Sequence, residues 1–111
     1  IQDYVKLPLP EPTWQGGALA GTIVYVDRFG NLISNITPFH VKDVQGRTRR
    51  SDVSIRIGGV TIDGLLKNYS QGSADAPHAL INSNGQVEVF VKEGSAADRL
   101  KLGRGGKIEV L

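Results

Sequence analysis

Three short stretches carry residue types that could do chemistry. The first is Asp27-Arg28-Phe29-Gly30-Asn31, which interrupts two apolar runs. If this stretch stays extended, Asp27, Phe29 and Asn31 project to one side. An acceptor, a ring and an amide would then stand together, a set suited to a ligand with a cationic amine and an apolar or aromatic body. The plainer alternative is that Asp and Asn occupy a turn and Phe29 enters the core, and spacing alone favours it. The second stretch is NSNGQVEVFVKEGSAAD, residues 82–98, where a hairpin feeds directly into a helix start. The first N–H groups of a helix have no helical partners and can serve a cap or a ligand's acceptor atoms. Here Ser95 followed by Asp98 resembles a capping box with Asp in place of the usual Glu. The third is Tyr69, alone in a polar loop, either a stacking platform for a base or a cover over the core.

Other chemistries find little support. The two histidines, His40 and His78, are far apart, and the chain has no cysteine, so thiolate metal sites and disulfides are excluded. No serine sits in a nucleophile elbow, and no glycine loop precedes Lys-Ser/Thr or opens a dinucleotide fold. Arg47, Arg49 and Arg50 lack the interleaved aromatics of a polyanion surface and read as a solvated loop. A net charge of +2 argues against a dedicated nucleic-acid binder. No apolar run reaches the length of a membrane span, and no signal peptide is visible. The lack of cysteine suits the cytoplasm. No self-sufficient active site emerges.

The elements that must position these residues are nearly all strands. Thr22–Arg28 alternates, with Ile23, Tyr25 and Asp27 on one face, and Leu32–Ile36 returns after a turn at Gly30. Pro38–Val44 reads as a short helix behind Thr37 or as a loop, and residues 45–51 as a surface loop. Val53–Ile57 and Val60–Leu66 form a hairpin across Gly58-Gly59, and Ala79–Asn82 and Gln86–Val91 form another across Ser83-Asn84-Gly85. A short helix follows Ser95 and ends by Gly103, and Lys107–Leu111 is a last strand. About seven short strands with one or two short helices predict an all-β fold, a small antiparallel barrel that leaves no long edge exposed. The 111 residues suffice for one domain. The chain has no methionine, so Ile1 is read as the start of a processed chain or of a piece of a longer one. Residues 1–20, with Pro8, Pro10, Pro12 and Gly16-Gly17, read as a linker, and residues 21–111 as the domain.

The three stretches occur together and in this order in one family. GTIVYVDRFGNLISNIT, then Tyr69, then ALINSNGQVEVFVKEGSAADRLKL resembles the C-terminal domain of the S-adenosyl-L-methionine (SAM) hydroxide adenosyltransferases, SAM hydrolases related to fluorinating and chlorinating enzymes. The D-R-F-G-N and I-N-S-x-G-x-x-E segments carry the resemblance, which extends over about residues 19–111. It implies a β-barrel that follows an N-terminal α/β domain, in a homotrimer whose site lies between the α/β domain of one subunit and the barrel of its neighbour. By match to the motifs, Asp27 and Asn31 bind the amino-acid end of SAM, and Phe29 helps wall the site. Tyr69 lies against adenine, Ser83 near the amino-acid end, and backbone groups around Lys92, Ser95 and Ala96 near the adenine edge. Glu88 matches a motif glutamate to which no role is attached. The implied reaction is attack of water or hydroxide on the 5′ carbon of SAM, giving adenosine and methionine. SAM is substrate, and no cofactor, metal, nucleic acid or membrane is implied. The groups that handle the water belong to the family's N-terminal domain, so this chain alone is expected to be inactive. Two alternatives stand beside the hydrolase: the same domain of a SAM-dependent halogenase, or a non-catalytic nucleoside-binding barrel.

Overall fold

Gly16 and Gly17 both take positive φ, at 59° and 86°. That is the backbone a two-residue turn needs between right-twisted strands. They join strand β1 (Thr13–Gln15) to β2 (Ala18–Val26), whose first three residues are buried. The computed structural model describes residues 11–73 and 76–111. The segment expected as a linker therefore lies within the sheet from Thr13 onward, and its first ten residues fall outside the described residues. Burial explains the difference: Leu19 is in the core, and Trp14 packs against it beneath the Arg47 guanidinium, which sits 4.2 Å from the ring centroid.

Six further strands complete the sheet: β3 (Leu32–Ser34), β4 (Ser54–Ile57), β5 (Val60–Asp63), β6 (Pro77–Ile81), β7 (Val87–Val91) and β8 (Lys107–Val110). Seven of the strands run β5-β4-β8-β2-β3-β7-β6, all antiparallel, with β1 paired to β2 off this path. An isolated bridge from Leu66 to Leu80 links the chain beyond β5 to β6 and nearly closes the barrel. Inside lie Ile23, Leu32, Ile55, Val87, Val89, Ile108 and Val110, each at most 1% exposed. The expected all-β barrel is the observed one.

Helix α1 spans Pro38–Thr48. Thr37 caps it, Pro38 opens it, and His40 Nδ1 accepts from the Thr37 N–H at 3.0 Å in a capping box. Residues 45–48, expected in a loop, complete the helix. Val41 and Val44 anchor one face, and Asp43 and Arg47 pair at 3.6 Å across one turn. The chain leaves the helix at Arg49, in the left-handed region at φ 58°. Helix α2 (Ala96–Leu100) is capped by Ser95, whose Oγ accepts from the Asp98 N–H at 3.1 Å.

Strand β2 departs from strict alternation. Its pairing with β3 shifts between Ile23 and Tyr25. Such a bulge re-aims the residues beyond it. Ile23 is 1% exposed, whereas Tyr25, expected on the same face, is 60% exposed. Val26 instead packs toward the core. Tyr25 is thereby turned to the outer surface beside Asp27.

Candidate functional site

The Asp27–Asn31 stretch is a turn, not an extended strand. The Gly30 N–H donates to the Asp27 carbonyl at 2.9 Å, and Gly30 takes φ 82°. Asp27 Oδ1 folds back to accept from the N–H groups of Phe29 and Asn31, both at 2.9 Å. This is the Asx geometry that makes Asp a favoured turn residue. No described residue donates to the second oxygen, Oδ2, so it can still take a cation. Phe29, weighed above as a core residue, is 63% exposed. The Arg28 guanidinium lies 5.1 Å from its ring centroid.

Strand β7 is buried along its whole length. Val87, Val89 and Val91 join the core cluster, whereas alternation directs Glu88 and Phe90 to the other face of the sheet. The loop after β5 covers that face. Its 3₁₀ turn (Tyr69–Gln71) sets the Tyr69 ring edge-on to Phe90, with centroids 5.0 Å apart. A β-carbon at Gly72 would stand 2.8 Å from the Phe90 ring, so only glycine allows this approach.

Under this cover Glu88 is 3% exposed. Its Oε2 accepts from Tyr69 Oη at 2.7 Å and from Asn31 Nδ2 at 3.0 Å, and Oε1 accepts from Asn82 Nδ2 at 3.0 Å. Burial pushes the Tyr69 phenol up to about 12, helped by its hydrogen bond to Glu88 and by the charges of Glu88 and Asp27. Asn82 Oδ1 in turn accepts from the N–H groups of Asn84 and Gln86, both at 3.0 Å, and shapes the β6–β7 turn that carries Ser83.

Two open concavities flank Tyr69. One, of about 290 Å³, is lined by Tyr25, Asp27, Ile33, Tyr69, Asn82, Ser83, Asn84, Gln86 and Glu88. The other, of about 420 Å³, is lined by Phe29, Asn31, Tyr69, Phe90, Val91, Lys92, Glu93 and Gly94. Asp27, Tyr69 and Ser83, from three separate segments, thus share one hollow. Asn31, Phe29 and Lys92 share the neighbouring one, so Asp27 and Asn31 face different hollows. Ser95 and Ala96 line neither. Ser95 Oγ is engaged as the cap, Ala96 is fully buried, and the Ala97 N–H donates to the Gly30 carbonyl at 2.9 Å. They support the Asp27–Asn31 turn from behind.

Glu88, Asn82, Gln86 and Tyr25 were not singled out by spacing. Glu88 offered one signal, an acid within the apolar run V-E-V-F-V. Of the histidines, His40 belongs to the α1 cap, and His78 Nε2 accepts from the Ser73 N–H at 3.0 Å. Among the described residues no cluster of three metal-ligating side chains is present. No helix there is long and apolar enough to cross a membrane.

Fold and geometry define a small antiparallel barrel with an open, two-lobed hollow of acidic, amide and aromatic groups on its outer surface. Residues 21–109 match the family model described as the SAM hydroxide adenosyltransferase C-terminal domain, and the chain belongs to that family. Two solved structures are similar to it. One is an uncharacterized conserved protein from Thermotoga maritima, with TM-score 0.71 and 23% identity over 99% of this chain. The other is a conserved hypothetical protein from Thermus thermophilus, with TM-score 0.69 and 27% identity over 96%. The chain spans only 42% and 39% of those two proteins. No curated protein matches it.

Proposed function

We propose that this chain is the substrate-binding part of a SAM hydrolase. The observation that carries the reading is the convergence of Asp27, Tyr69 and Ser83 on one hollow, continued past Tyr69 by Phe29, Asn31 and Lys92. In this reading the amino-acid end of SAM occupies the first lobe. Asp27 Oδ2 pairs with the ligand ammonium, and Ser83 hydrogen-bonds nearby. Partial burial strengthens such a charge-assisted bond. The nucleoside lies against the rings of Tyr69 and Phe29, with Asn31 and the backbone of Lys92–Gly94 in reach of its polar edge. Base–aromatic stacking of this kind is worth about 1–3 kcal/mol.

Both lobes are open and modest in size, as for one wall of a cavity whose other wall comes from elsewhere. The proposed second wall is the N-terminal α/β domain of a neighbouring subunit in a homotrimer. The sulfonium is an excellent leaving group, so catalysis rests on aligning water with the 5′ carbon and excluding other solvent. This chain holds and orients the substrate, and the water-handling groups lie in the other domain.

The test is incubation of the full-length parent protein with SAM. Adenosine and methionine are the expected products. Unchanged SAM rejects the reading. A 5′-halo-5′-deoxyadenosine formed only in the presence of halide replaces hydrolase by halogenase.

A further inference from the structure

We propose that Glu88 is the positioning residue of the candidate site, one buried carboxylate that fixes three of its ligand-facing segments relative to one another. The inference rests on the SAM-binding reading for its functional arm and on geometry alone for its structural arm. Asn31 belongs to the β2–β3 turn, Tyr69 to the loop after β5, and Asn82 to the β6–β7 turn. They are separated by up to 51 residues in the chain (82 − 31), yet all donate to Glu88 within 3.0 Å.

Each donor is itself tied to a wider piece of the site. The Asn31 N–H is bound by Asp27 Oδ1, so fixing Asn31 fixes the turn that presents Asp27 and Phe29. Asn82 Oδ1 organises the turn that carries Ser83. The Tyr69 hydroxyl, held by Glu88, sets the ring that separates the two lobes. A buried carboxylate strongly requires its donors, because leaving it under-bonded costs more than an ordinary lost hydrogen bond. Glutamate suits this task because it accepts only. Gln at the same place would aim an NH₂ group at one or two of the three donors. Glu88 itself is almost wholly covered, so its role is exerted through these partners.

The experiment compares wild type with Glu88→Gln, nearly identical in shape, in the full-length protein. The structural arm needs no ligand. The side-chain amide signals of Asn31 and Asn82 are expected to shift together in Glu88→Gln, and the Tyr69 phenol to titrate below the wild-type value of about 12, because the Glu88 hydrogen bond and charge are lost while burial remains. Unmoved amide signals and an unmoved phenol overturn the proposal. The functional arm follows SAM turnover. KM is expected to rise about tenfold or more, as for loss of charge-assisted bonds, with kcat changing less than about threefold because the water-handling groups are elsewhere. An unchanged KM, or a fall in kcat at constant KM, overturns the positioning role. Should Glu88→Gln not fold, Tyr69→Phe removes one donor and keeps the ring. A KM rise of about threefold then supports the proposal, and an unchanged KM overturns it. A wild-type protein without SAM turnover would reject the hydrolase reading, and the ligand-free arm would still decide whether Glu88 holds the three segments.

Discussion

Gly30→Ala is the perturbation most directly worked from the structure. Gly30 sits at φ 82° in the Asp27–Asn31 turn, pressed against the cap of α2. A β-carbon there would overlap Ser95 Oγ and stand 2.6 Å from Ser95 Cβ and 3.0 Å from Ser95 Cα. Three costs follow. A left-handed backbone at a non-glycine residue costs about 1–2 kcal/mol. Displacing the Ser95 cap costs about 1 kcal/mol. Moving Ser95 backbone away also strains the bond from the Ala97 N–H to the Gly30 carbonyl, now 2.9 Å, worth about 1 kcal/mol. The total is about 3–4 kcal/mol, a large share of the roughly 5–15 kcal/mol that holds a domain folded. With a urea slope of about 2 kcal/mol/M, the unfolding midpoint should fall by about 2 M. Ser95→Ala alone should lose only about 1 kcal/mol. In the Ser95→Ala background Gly30→Ala should do less harm than in wild type, because the hydroxyl it strikes is gone. A coupling of about 1 kcal/mol is expected for such a contact pair. A Gly30→Ala variant within about 0.5 kcal/mol of wild type, or strictly additive effects, would refute the reasoning.

Other substitutions probe the site and the sheet. Asp27→Asn keeps an oxygen for the Phe29 and Asn31 N–H groups but removes the charge; the fold should persist while KM for SAM rises about tenfold. Steady-state kinetics checks this, and unaltered kinetics would remove Asp27 from the site. Tyr69, with its folded-state value raised from 10 to about 12, keeps its proton in the native state where the unfolded chain has released it. Its contribution to stability is therefore complete below pH 10 and lost as pH rises through 12. Urea midpoints measured across that interval should fall less steeply in Tyr69→Phe than in wild type, and equal slopes would contradict the raised phenol. Trp14→Ala should lower stability by about 2 kcal/mol, since the ring packs on the core beneath Arg47. A thermal melt identical to wild type would return residues 13–15 to the status of a linker.

Much of the fold was legible because its signals are local. Gly58-Gly59 at positive φ, the Asn-Gly turn at Gly85, Thr37-Pro38 before α1 and Ser95 before α2 each act on residues within one turn of themselves. Short-range sterics and capping dictate these whatever the rest of the chain does. The errors arose where a distant contact overrode a local preference. Thr13–Gln15 carries linker-like neighbours, yet the pairing of β1 with β2 and the burial of Leu19 hold it in the sheet. Residues 45–48 look like loop, yet Val41 and Val44 on the barrel carry the helix through them.

The site divides in the same way. Its residue types, an acid and amide about a turn, a lone tyrosine in a polar loop and a serine at a hairpin tip, stand in the sequence and carry the family resemblance. Their arrangement does not. The bulge between Ile23 and Tyr25 turns Tyr25 out of the core and into the first lobe, and a bulge depends on the partner strand. The gathering of Asn31, Tyr69 and Asn82 on Glu88 depends on β3 pairing with β7, on β7 pairing with β6, and on a loop lying over the outer face of β7. A carboxylate in V-E-V-F-V takes its meaning from which donors the barrel brings to it, because hydrogen bonds act over about 3 Å of space and are indifferent to separation along the chain.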